Sequence, residues 1–165
     1  MKIVSIILAR GGSKGIPDKN IISLNDKPLI YYTINASKQS KVCETWVSTD
    51  SKKISIIAEK YGAKIIDRPK EFATDTASSE QALKHFSKQV DFDIMVFIQP
   101  TSPLLDYSYI NKGIDLIKSK VIDNPVLEKQ LNNSCRQILM LKRWSFLGSE
   151  KRILKNTSLE SSSAQ

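Results

Sequence analysis

The sequence predicts an α/β fold of three layers, in which helices cover both faces of a mostly parallel sheet. Strand-like and helix-like segments alternate four times between Lys2 and Lys118, and this alternation is the pattern of βαβ units. The first and fourth strand-like segments are apolar with almost no alternation, as expected for strands buried on both faces. Polar loops follow three of the strands, and in such sheets ligands bind at the carboxyl ends of the strands.

Two strands and two helices are predicted in the first part of the chain. Residues 2–9 predict the first strand, since β-branched and apolar side chains dominate them. The first helix begins at Pro28, because a proline at a helix start loses no hydrogen bond. Residues 44–50, ETWVSTD, predict the second strand. The second helix ends at Gly62, and its apolar face is formed at helical spacing by Ile54, Ile57, Ala58 and Tyr61.

The same alternation continues with a third strand at residues 63–67, AKIID. A helix is predicted from about Ser79, because the preceding Ser78 and the later Gln81 have the spacing of a capping box. Residues 92–100, FDIMVFIQP, predict a fourth buried strand. The last helix is predicted at 107–118, with an apolar face formed by Ile110, Ile114 and Ile117.

Composition and charge indicate the class of protein but do not identify its binding partner. The chain of 165 residues is 41% hydrophobic and 25% charged, as expected for a globular domain, and its net charge of +8 favours anionic partners. Two separated cysteines, outside any metal-binding or redox spacing, are expected to be reduced thiols. No apolar run approaches the roughly 20 residues of a membrane span, and the run after Met1 lacks a signal-peptide cleavage site. We therefore expect a soluble protein with a cytoplasmic location.

The pattern changes after Lys118. Residues 120–165 hold eight Lys or Arg and four Asp or Glu, so this segment is markedly basic. Its helical periodicity is broken, the stretch RQILMLKRW is consistent with either a helix or a strand, and its serine-rich end is typical of a frayed terminus. We therefore predict an α/β domain at residues 1–119, incomplete at its C-terminus, followed by an atypical basic tail at 120–165 that is partly disordered.

The loop LARGGSKGIPDKN, residues 8–20, follows the first strand and combines glycines with cationic side chains. It fits neither the Walker A pattern nor the G-x-G-x-x-G dinucleotide pattern. Its glycines allow backbone N–H groups to face a ligand, and Arg10, Lys14 and Lys19 supply positive charge, a combination that suits polyphosphate. The alternative is a glycine-rich turn with solvated lysines. Three loops that follow strands are expected to meet at one crevice, namely 9–20, 67–79 and 99–106.

Four stretches of the sequence together resemble one known family. They are LARGGSKGIPDKN at 8–20, VSTD at 47–50, RPKEFATDTASS at 68–79 and QPTSPL at 99–104. In order and spacing they are similar to motifs of the acylneuraminate cytidylyltransferases, the CMP-sialic acid synthetases, and the resemblance covers residues 1–118. It implies a Rossmann-like nucleotidyltransferase domain that transfers CMP from CTP to the anomeric hydroxyl of a sialic-acid-like nine-carbon sugar. It also implies release of pyrophosphate and assistance from Mg²⁺.

The resemblance assigns roles position by position. Arg10 and Lys19 match catalytic residues that hold the triphosphate and stabilise the leaving pyrophosphate, which suits a reaction based on positioning and electrostatic stabilisation. The positions that bind the phosphates, ribose and cytosine of the nucleotide are matched by Leu8, Ala9, Ser13, Lys14, Asn20, Arg68, Ala77 and Ser79. The acceptor-sugar positions are matched by Gln99, Thr101 and Ser102.

Several of these residues also have an ordinary structural interpretation. Ser78 and Ser79 are good helix caps without any ligand, and Arg68 is consistent with an ordinary loop arginine. The residues of QPTSPL are consistent with a proline-stiffened turn. Asp50 either caps the second helix or faces the crevice, and we favour the cap. His85 is interpreted as structural or exposed, and no residue is identified as a general base for the sugar hydroxyl.

Parts of the implied active site have no match after Lys118. The family's paired aspartates for Mg²⁺, its residues for the sugar carboxylate and its dimerisation segment are not recognised there, so the metal ligands are unknown. One alternative function is a catalytically inactive, nucleotide-binding remnant of the family. A nucleic-acid-binding protein is a third hypothesis that rests on charge alone, without a base-stacking aromatic cluster. The expected partners are CTP and the acidic sugar, without membrane or nucleic acid, and the family implies a homodimer.

Overall fold

The computed structural model describes residues 1–13, 15–119 and 138–142, and of the last range the backbone alone. The strands are β1 Ile3–Leu8, β2 Ser23–Leu24, β3 Lys27–Pro28, β4 Glu44–Thr49, β5 Lys64–Asp67, β6 Ile94–Ile98 and β7 Ile138–Lys142. The helices are α1 Leu29–Gln39, α2 Lys52–Lys60, α3 Ser79–Gln89 and α4 Tyr107–Lys118. Short 3₁₀ helices occur at Lys19–Ile21 and Lys70–Phe72.

One sheet contains five of these strands in the order β5-β4-β1-β6-β7. β1 lies at its centre and pairs in parallel with β4 and with β6, so that Ser5 lies between Thr45 and Val96. β5 extends the parallel part beyond β4, whereas β7 pairs with β6 in the antiparallel direction. The strand–helix alternation within the sequence therefore forms a mostly parallel sheet, as predicted.

Helices cover both faces of this sheet, which confirms the predicted three layers. α1, α2 and α4 pack on one face, where Ile34, Ile54 and Ile114 are fully buried in the larger core cluster. α3 packs on the opposite face, where Phe86 and Met95 are fully buried in a second cluster. The apolar residues predicted from helical spacing are therefore those that contact the sheet.

The helix ends follow the local signals in the sequence. The Ser78 hydroxyl accepts a hydrogen bond from the Gln81 N–H at 3.4 Å, which is the first half of the predicted capping box. Gly62 follows α2 with a φ of +82°, a left-handed conformation that favours glycine. Ser78 ends the loop that follows β5 at the sheet's carboxyl edge, and Gly62 lies in the turn that leads from α2 into β5 at the opposite edge.

The prediction that Asp50 caps α2 is wrong. The N-cap residue is Ser51, and the Asp50 carboxylate instead accepts a hydrogen bond from the Gly11 N–H at 2.9 Å. Because β1 and β4 are neighbours in the sheet, the loop after β1 passes directly beside the end of β4. Asp50 therefore helps to fix the loop at residues 8–20, called the glycine loop below.

A two-stranded hairpin between β2 and β3 was not predicted from the sequence. Its turn residues Asn25 and Asp26 have φ angles of 48° and 60°, in the left-handed region that Asn and Asp tolerate. The hairpin leads directly into α1, for which Pro28 occupies the N-cap position.

The tail prediction is only partly covered by the described residues. Within RQILMLKRW, the strand interpretation is the one observed, because Ile138–Lys142 forms β7 at the edge of the main sheet. The rest of 120–165, including its predicted disorder, lies outside the described residues, as does Lys14. No helix in the described part of the chain is both long and apolar enough to cross a membrane.

Candidate functional site

A cavity of about 550 Å³ opens at the carboxyl ends of β1 and β6. Residues from all three predicted loops line it, which confirms that these loops meet at one crevice. Its predicted site residues are Leu8, Arg10, Ser13, Lys19, Asn20, Arg68, Ala77, Ser79, Gln99 and Thr101. Among the lining residues, Arg10, Lys19 and Arg68 are cationic and Asp75 is acidic, so the described wall carries net positive charge.

The glycine loop is fixed by polar contacts with its surroundings. The Asn20 side chain is buried, and its amide donates a hydrogen bond to the Arg10 carbonyl at 3.0 Å. Gly11 lies so close to the start of α2 that an added Cβ would approach the Ser51 Cβ to 3.0 Å. The loop therefore favours glycine at position 11 because of this close approach, while the backbone N–H of the same residue donates the bond to Asp50.

Arg10 connects the glycine loop to the loop at 67–79. Its guanidinium forms an ion pair with the Asp75 carboxylate at 2.5 Å and donates a longer hydrogen bond to the Ala73 carbonyl at 3.4 Å. Both charged side chains remain about one third exposed, so they stay accessible from the cavity. A cation in this position is able to contact an anionic ligand without leaving the cavity wall.

Arg68 is the buried cation of the site, with 7% of its surface exposed. Its Nε–H donates to the Ser48 hydroxyl at 3.0 Å, and its Nη2 donates to the Ser48 carbonyl at 2.6 Å. Burial lowers the pKa of the Arg68 guanidinium to about 10, and Arg10 adds to this effect while Asp50 opposes it. Arg68 therefore remains protonated near neutral pH and presents a fixed cationic group at the cavity.

The structure does not place every predicted site residue at the cavity wall. Ala9 is fully buried in the core and its N–H bonds to the Ser48 carbonyl at 3.0 Å, so this amide is already occupied. Ser102 is also buried, and its hydroxyl has no hydrogen-bond partner among the described residues. Neither Ala9 nor Ser102 lines the cavity: Ala9 packs into the core directly after β1, and Ser102 is buried in the turn after β6.

Some residues at the site were not singled out from the sequence. Asp75 and Phe72 line the cavity, and Ser48 lies behind it as the acceptor for Arg68. Asp75 and Phe72 lie within RPKEFATDTASS, and Ser48 lies within VSTD. Their position in these two motifs is the one feature of the sequence that could have indicated a role at the site. Their contacts depend on loops that are distant in sequence, which local patterns do not reveal.

A protein-built magnesium site is not found among the described residues. There, no group of three or more His, Cys, Asp or Glu side chains is arranged to hold a metal ion. The acidic residue that lines the cavity, Asp75, forms an ion pair with Arg10. The described residues therefore do not fit the metal centre that the resemblance implies.

Comparison with known proteins supports the resemblance. N-acylneuraminate cytidylyltransferase of Escherichia coli O18:K1:H7 is 42% identical over 140 residues, which are 84% of this chain and 33% of that protein. CMP-N,N'-diacetyllegionaminic acid synthase of Legionella pneumophila is 40% identical over 125 residues, 72% of this chain and 54% of that protein. The chain thus spans between about a third and about half of the length of these relatives.

A solved structure of CMP:2-keto-3-deoxy-manno-octonic acid synthetase complexed with CTP has the same fold. The TM-score is 0.67 at 24% identity, and the match covers 74% of this chain and 49% of the other. At this identity the comparison supports the fold alone.

A family model described as cytidylyltransferase matches residues 4–152 of this chain. The matched range extends past Lys118, where the resemblance drawn from the four motifs ends, and into the basic segment at 120–165. The model covers most of the chain and agrees with the relatives named above. The chain therefore belongs to the cytidylyltransferase family.

Proposed function

We propose that this chain is the nucleotide-binding part of an enzyme that transfers CMP from CTP to the anomeric hydroxyl of a sialic-acid-like nine-carbon sugar. Pyrophosphate is the second product. The observation that carries the proposal is the arrangement of three cations around one cavity at the carboxyl edge of a parallel sheet. Family membership narrows the anionic ligand to a cytidine nucleotide, and the names of the two relatives narrow the acceptor to this class of sugar.

The two ends of CTP have different partners in this proposal. Arg10 and Lys19 bind the triphosphate, assisted by Ser13 and Asn20, since cationic side chains and loop donors suit phosphate oxygens. Arg68, with Ala77 and Ser79 nearby, binds the cytosine end, and Leu8 lines the same cavity. Lys14 and the backbone of Ala9 keep the roles that the resemblance gives them as predictions.

The acceptor sugar occupies the side of the cavity formed by the loop after β6, where Gln99 and Thr101 lie. The anomeric oxygen forms a bond to the α-phosphorus of CTP while the bond from this phosphorus to the bridging oxygen of the β-phosphate breaks. The hydroxyl proton is released in the net reaction. Arg10 and Lys19 stabilise the charge that accumulates on the departing pyrophosphate.

Mg²⁺ is proposed on the resemblance alone, as an ion that accompanies the phosphates of CTP. When bound, it would neutralise phosphate charge. The described residues do not supply a cluster of ligands for it. The homodimer that the resemblance implies and the cytoplasmic location expected from the composition likewise remain predictions.

The decisive experiment measures CTP binding and turnover on the same preparation. Titration calorimetry with CTP tests the nucleotide site, and pyrophosphate release with CTP, Mg²⁺ and N-acetylneuraminate tests the transfer. We expect saturable CTP binding and sugar-dependent pyrophosphate release. CTP binding without turnover on this or related nine-carbon sugars would favour the inactive remnant, and absence of CTP binding by the folded chain would reject the proposal altogether.

A further inference from the structure

Ser48 occupies a junction between the strands that border the proposed nucleotide site. It is the penultimate residue of β4, is fully buried, and lies between Leu8 of β1 and Ile66 of β5 in the parallel register. It does not line the cavity itself. Any effect of this residue on a ligand must therefore act through a neighbour that does reach the cavity.

That neighbour is Arg68, and both oxygens of Ser48 hold it. The Ser48 hydroxyl accepts from the Arg68 Nε–H at 3.0 Å, and the Ser48 carbonyl accepts from Nη2 at 2.6 Å. The same carbonyl also accepts from the Ala9 N–H at 3.0 Å, so its own position is fixed by the end of β1. The Arg68 backbone is fixed as well, because its N–H bonds to the Thr49 carbonyl at 2.9 Å.

Two hydrogen bonds from different nitrogens define the plane of a guanidinium as well as its position. Among the described residues, Nη1 of Arg68 makes no hydrogen bond, and Arg68 lines the cavity. A fixed guanidinium of this kind presents donors in one direction only. Without the Ser48 hydroxyl, one hydrogen bond to the Ser48 carbonyl would remain, and the guanidinium could rotate about it.

A fixed donor matters for the choice between pyrimidines. Cytosine presents an acceptor at ring nitrogen N3, whereas uracil presents an N–H donor at the same position. A donor held opposite N3 bonds to cytosine and leaves two donors facing each other with uracil, which is costly in a buried site. A mobile donor avoids this conflict by moving to a carbonyl oxygen, and it discriminates less.

We infer that Ser48 is a positioning residue that orients Arg68 toward the base of the bound nucleotide and thereby contributes to the preference for cytosine over uracil. This inference rests on the proposed function, because it requires the cavity to bind CTP. It adds a residue and a specificity role that the nucleotide-binding positions given above do not include. Arg68 touches the nucleotide, and Ser48 acts through Arg68.

The test compares binding of CTP, UTP and tripolyphosphate to wild-type protein and to Ser48→Ala. We expect the Kd for CTP to rise about fivefold to tenfold, the upper part of the range for loss of one ordinary hydrogen bond, because Ser48 acts on the nucleotide only through Arg68. The Kd for UTP and for tripolyphosphate should change less than about twofold, because Arg10 and Lys19 still hold the phosphates. A wild-type ratio of CTP to UTP affinity in Ser48→Ala would overturn the inference.

Two further variants separate positioning from a general structural effect. Ser5→Ala removes another fully buried strand serine, whose hydroxyl bonds to Ser37 away from the cavity, and it should leave the CTP-to-UTP ratio unchanged. Ser48→Thr retains the hydroxyl and should therefore keep the wild-type ratio of CTP affinity to UTP affinity. In an Arg68→Ala background, Ser48→Ala should cause no additional loss, since its effect passes through Arg68. The inference would also be contradicted if Ser48→Ala lowered CTP affinity in the Arg68→Ala background as much as it does in wild-type protein.

Two outcomes keep this inference distinct from the proposed function. If wild-type protein prefers CTP and Ser48→Ala keeps that preference, only the role of Ser48 fails. If folded wild-type protein binds neither nucleotide, the proposed function fails and the inference fails with it. Should Ser48→Ala not fold, Ser48→Cys fills nearly the same volume with a much weaker acceptor and should lower the CTP-to-UTP ratio in the same direction.

Discussion

The guanidinium of Arg10 and the carboxylate of Asp75 lie 2.5 Å apart, and this ion pair joins two loops that border the cavity. Arg10 follows the first strand of the sheet, whereas Asp75 lies in the loop that leads from β5 to α3. A triphosphate that enters this cavity would contact Arg10 and would at the same time approach the negative charge of Asp75. If the cavity binds a polyphosphate as proposed, Asp75 would therefore compete with it for the same cation.

Replacement of Asp75 by Asn should tighten the binding of pyrophosphate and of CTP. Asn retains the size and an acceptor oxygen for Arg10 but removes the negative charge, so we expect a decrease in Kd of about threefold to tenfold at low salt. The gain should shrink as ionic strength rises. Isothermal calorimetry at two salt concentrations measures both effects.

Asp93→Asn is the matched control for Asp75→Asn, because Asp93 is exposed and contacts the N-terminus outside the cavity. It changes the net charge equally and should leave pyrophosphate binding unchanged. Weaker pyrophosphate binding in Asp75→Asn would show that orientation of Arg10 outweighs repulsion, contrary to the competition argued above.

Lys19→Ala should weaken CTP binding by roughly 1.5–3 kcal/mol, the range for loss of a charge-assisted hydrogen bond. The expected cause is loss of a phosphate contact, since Lys19 belongs to the loop at 8–20 and lines the cavity. Lys19→Arg should retain most of the affinity. Lys52→Ala removes an exposed lysine at the start of α2 and serves as a control. Equal CTP affinity in wild-type protein and Lys19→Ala would reject the phosphate role.

Gly11→Ala should destabilise the fold by about 1 kcal/mol or more, because the added Cβ approaches the Ser51 Cβ to 3.0 Å. The displacement would also disturb the hydrogen bond from the Gly11 N–H to Asp50. Gly12→Ala is a close control, since its Cβ meets nothing within 4 Å and the change should be nearly neutral. Chemical denaturation of both variants measures the difference, and equal stabilities would contradict the close approach.

Ser78→Ala should cost about 0.5–2 kcal/mol of unfolding free energy, the usual range for loss of an N-cap side chain. The Ser78 hydroxyl accepts the hydrogen bond from the Gln81 N–H at the start of α3. Ser87→Ala, a change near the opposite end of the same helix, should cost less because its hydroxyl only bonds back to the Lys84 carbonyl. A larger loss in Ser87→Ala than in Ser78→Ala would contradict the cap.

Glu44 should contribute to stability in a pH-dependent way. Hydrogen bonds from Lys64 and Trp46 hold the pKa of the Glu44 carboxyl below its ordinary value of 4.5. Because this pKa is lower in the folded state, the contribution is fully present above pH 4.5 and disappears as the pH falls through the lower folded-state pKa. The stability difference between wild-type protein and Glu44→Gln should therefore be constant above pH 4.5 and shrink as the pH falls below it. Urea unfolding on both sides of this pH measures it, and a constant difference throughout would contradict the shift.

Much of the fold could be predicted because its elements depend on neighbouring residues. The periodicity of residues such as Ile54 and Ala58, the cap at Ser78 and the stop at Gly62 all arise within a few positions of the chain. The hairpin at Asn25 was missed, because its strands contain only two residues each and show no alternation.

The candidate site was predicted as a set of loops, and most of its residues do line one cavity. Ala9 and Ser102 do not, since both are buried, Ala9 in the core directly after β1 and Ser102 in the turn after β6. Asp50 was assigned to the wrong partner, because the pattern at the start of α2 gives no information about a loop 39 residues away. The strand order β5-β4-β1-β6 brings these separate loops together.

The chain's own sequence determined which segments form strands and helices, where several helices begin and end, and which motifs carry the cationic residues. Those features follow from local hydrogen bonding and from the spacing of apolar side chains. Only the tertiary structure decided which polar groups meet, such as Arg68 with Ser48 across 20 positions and Gly11 with Asp50 across 39. The physical reason is that parallel pairing places distant strand ends side by side, and the partners of a polar side chain depend on that arrangement.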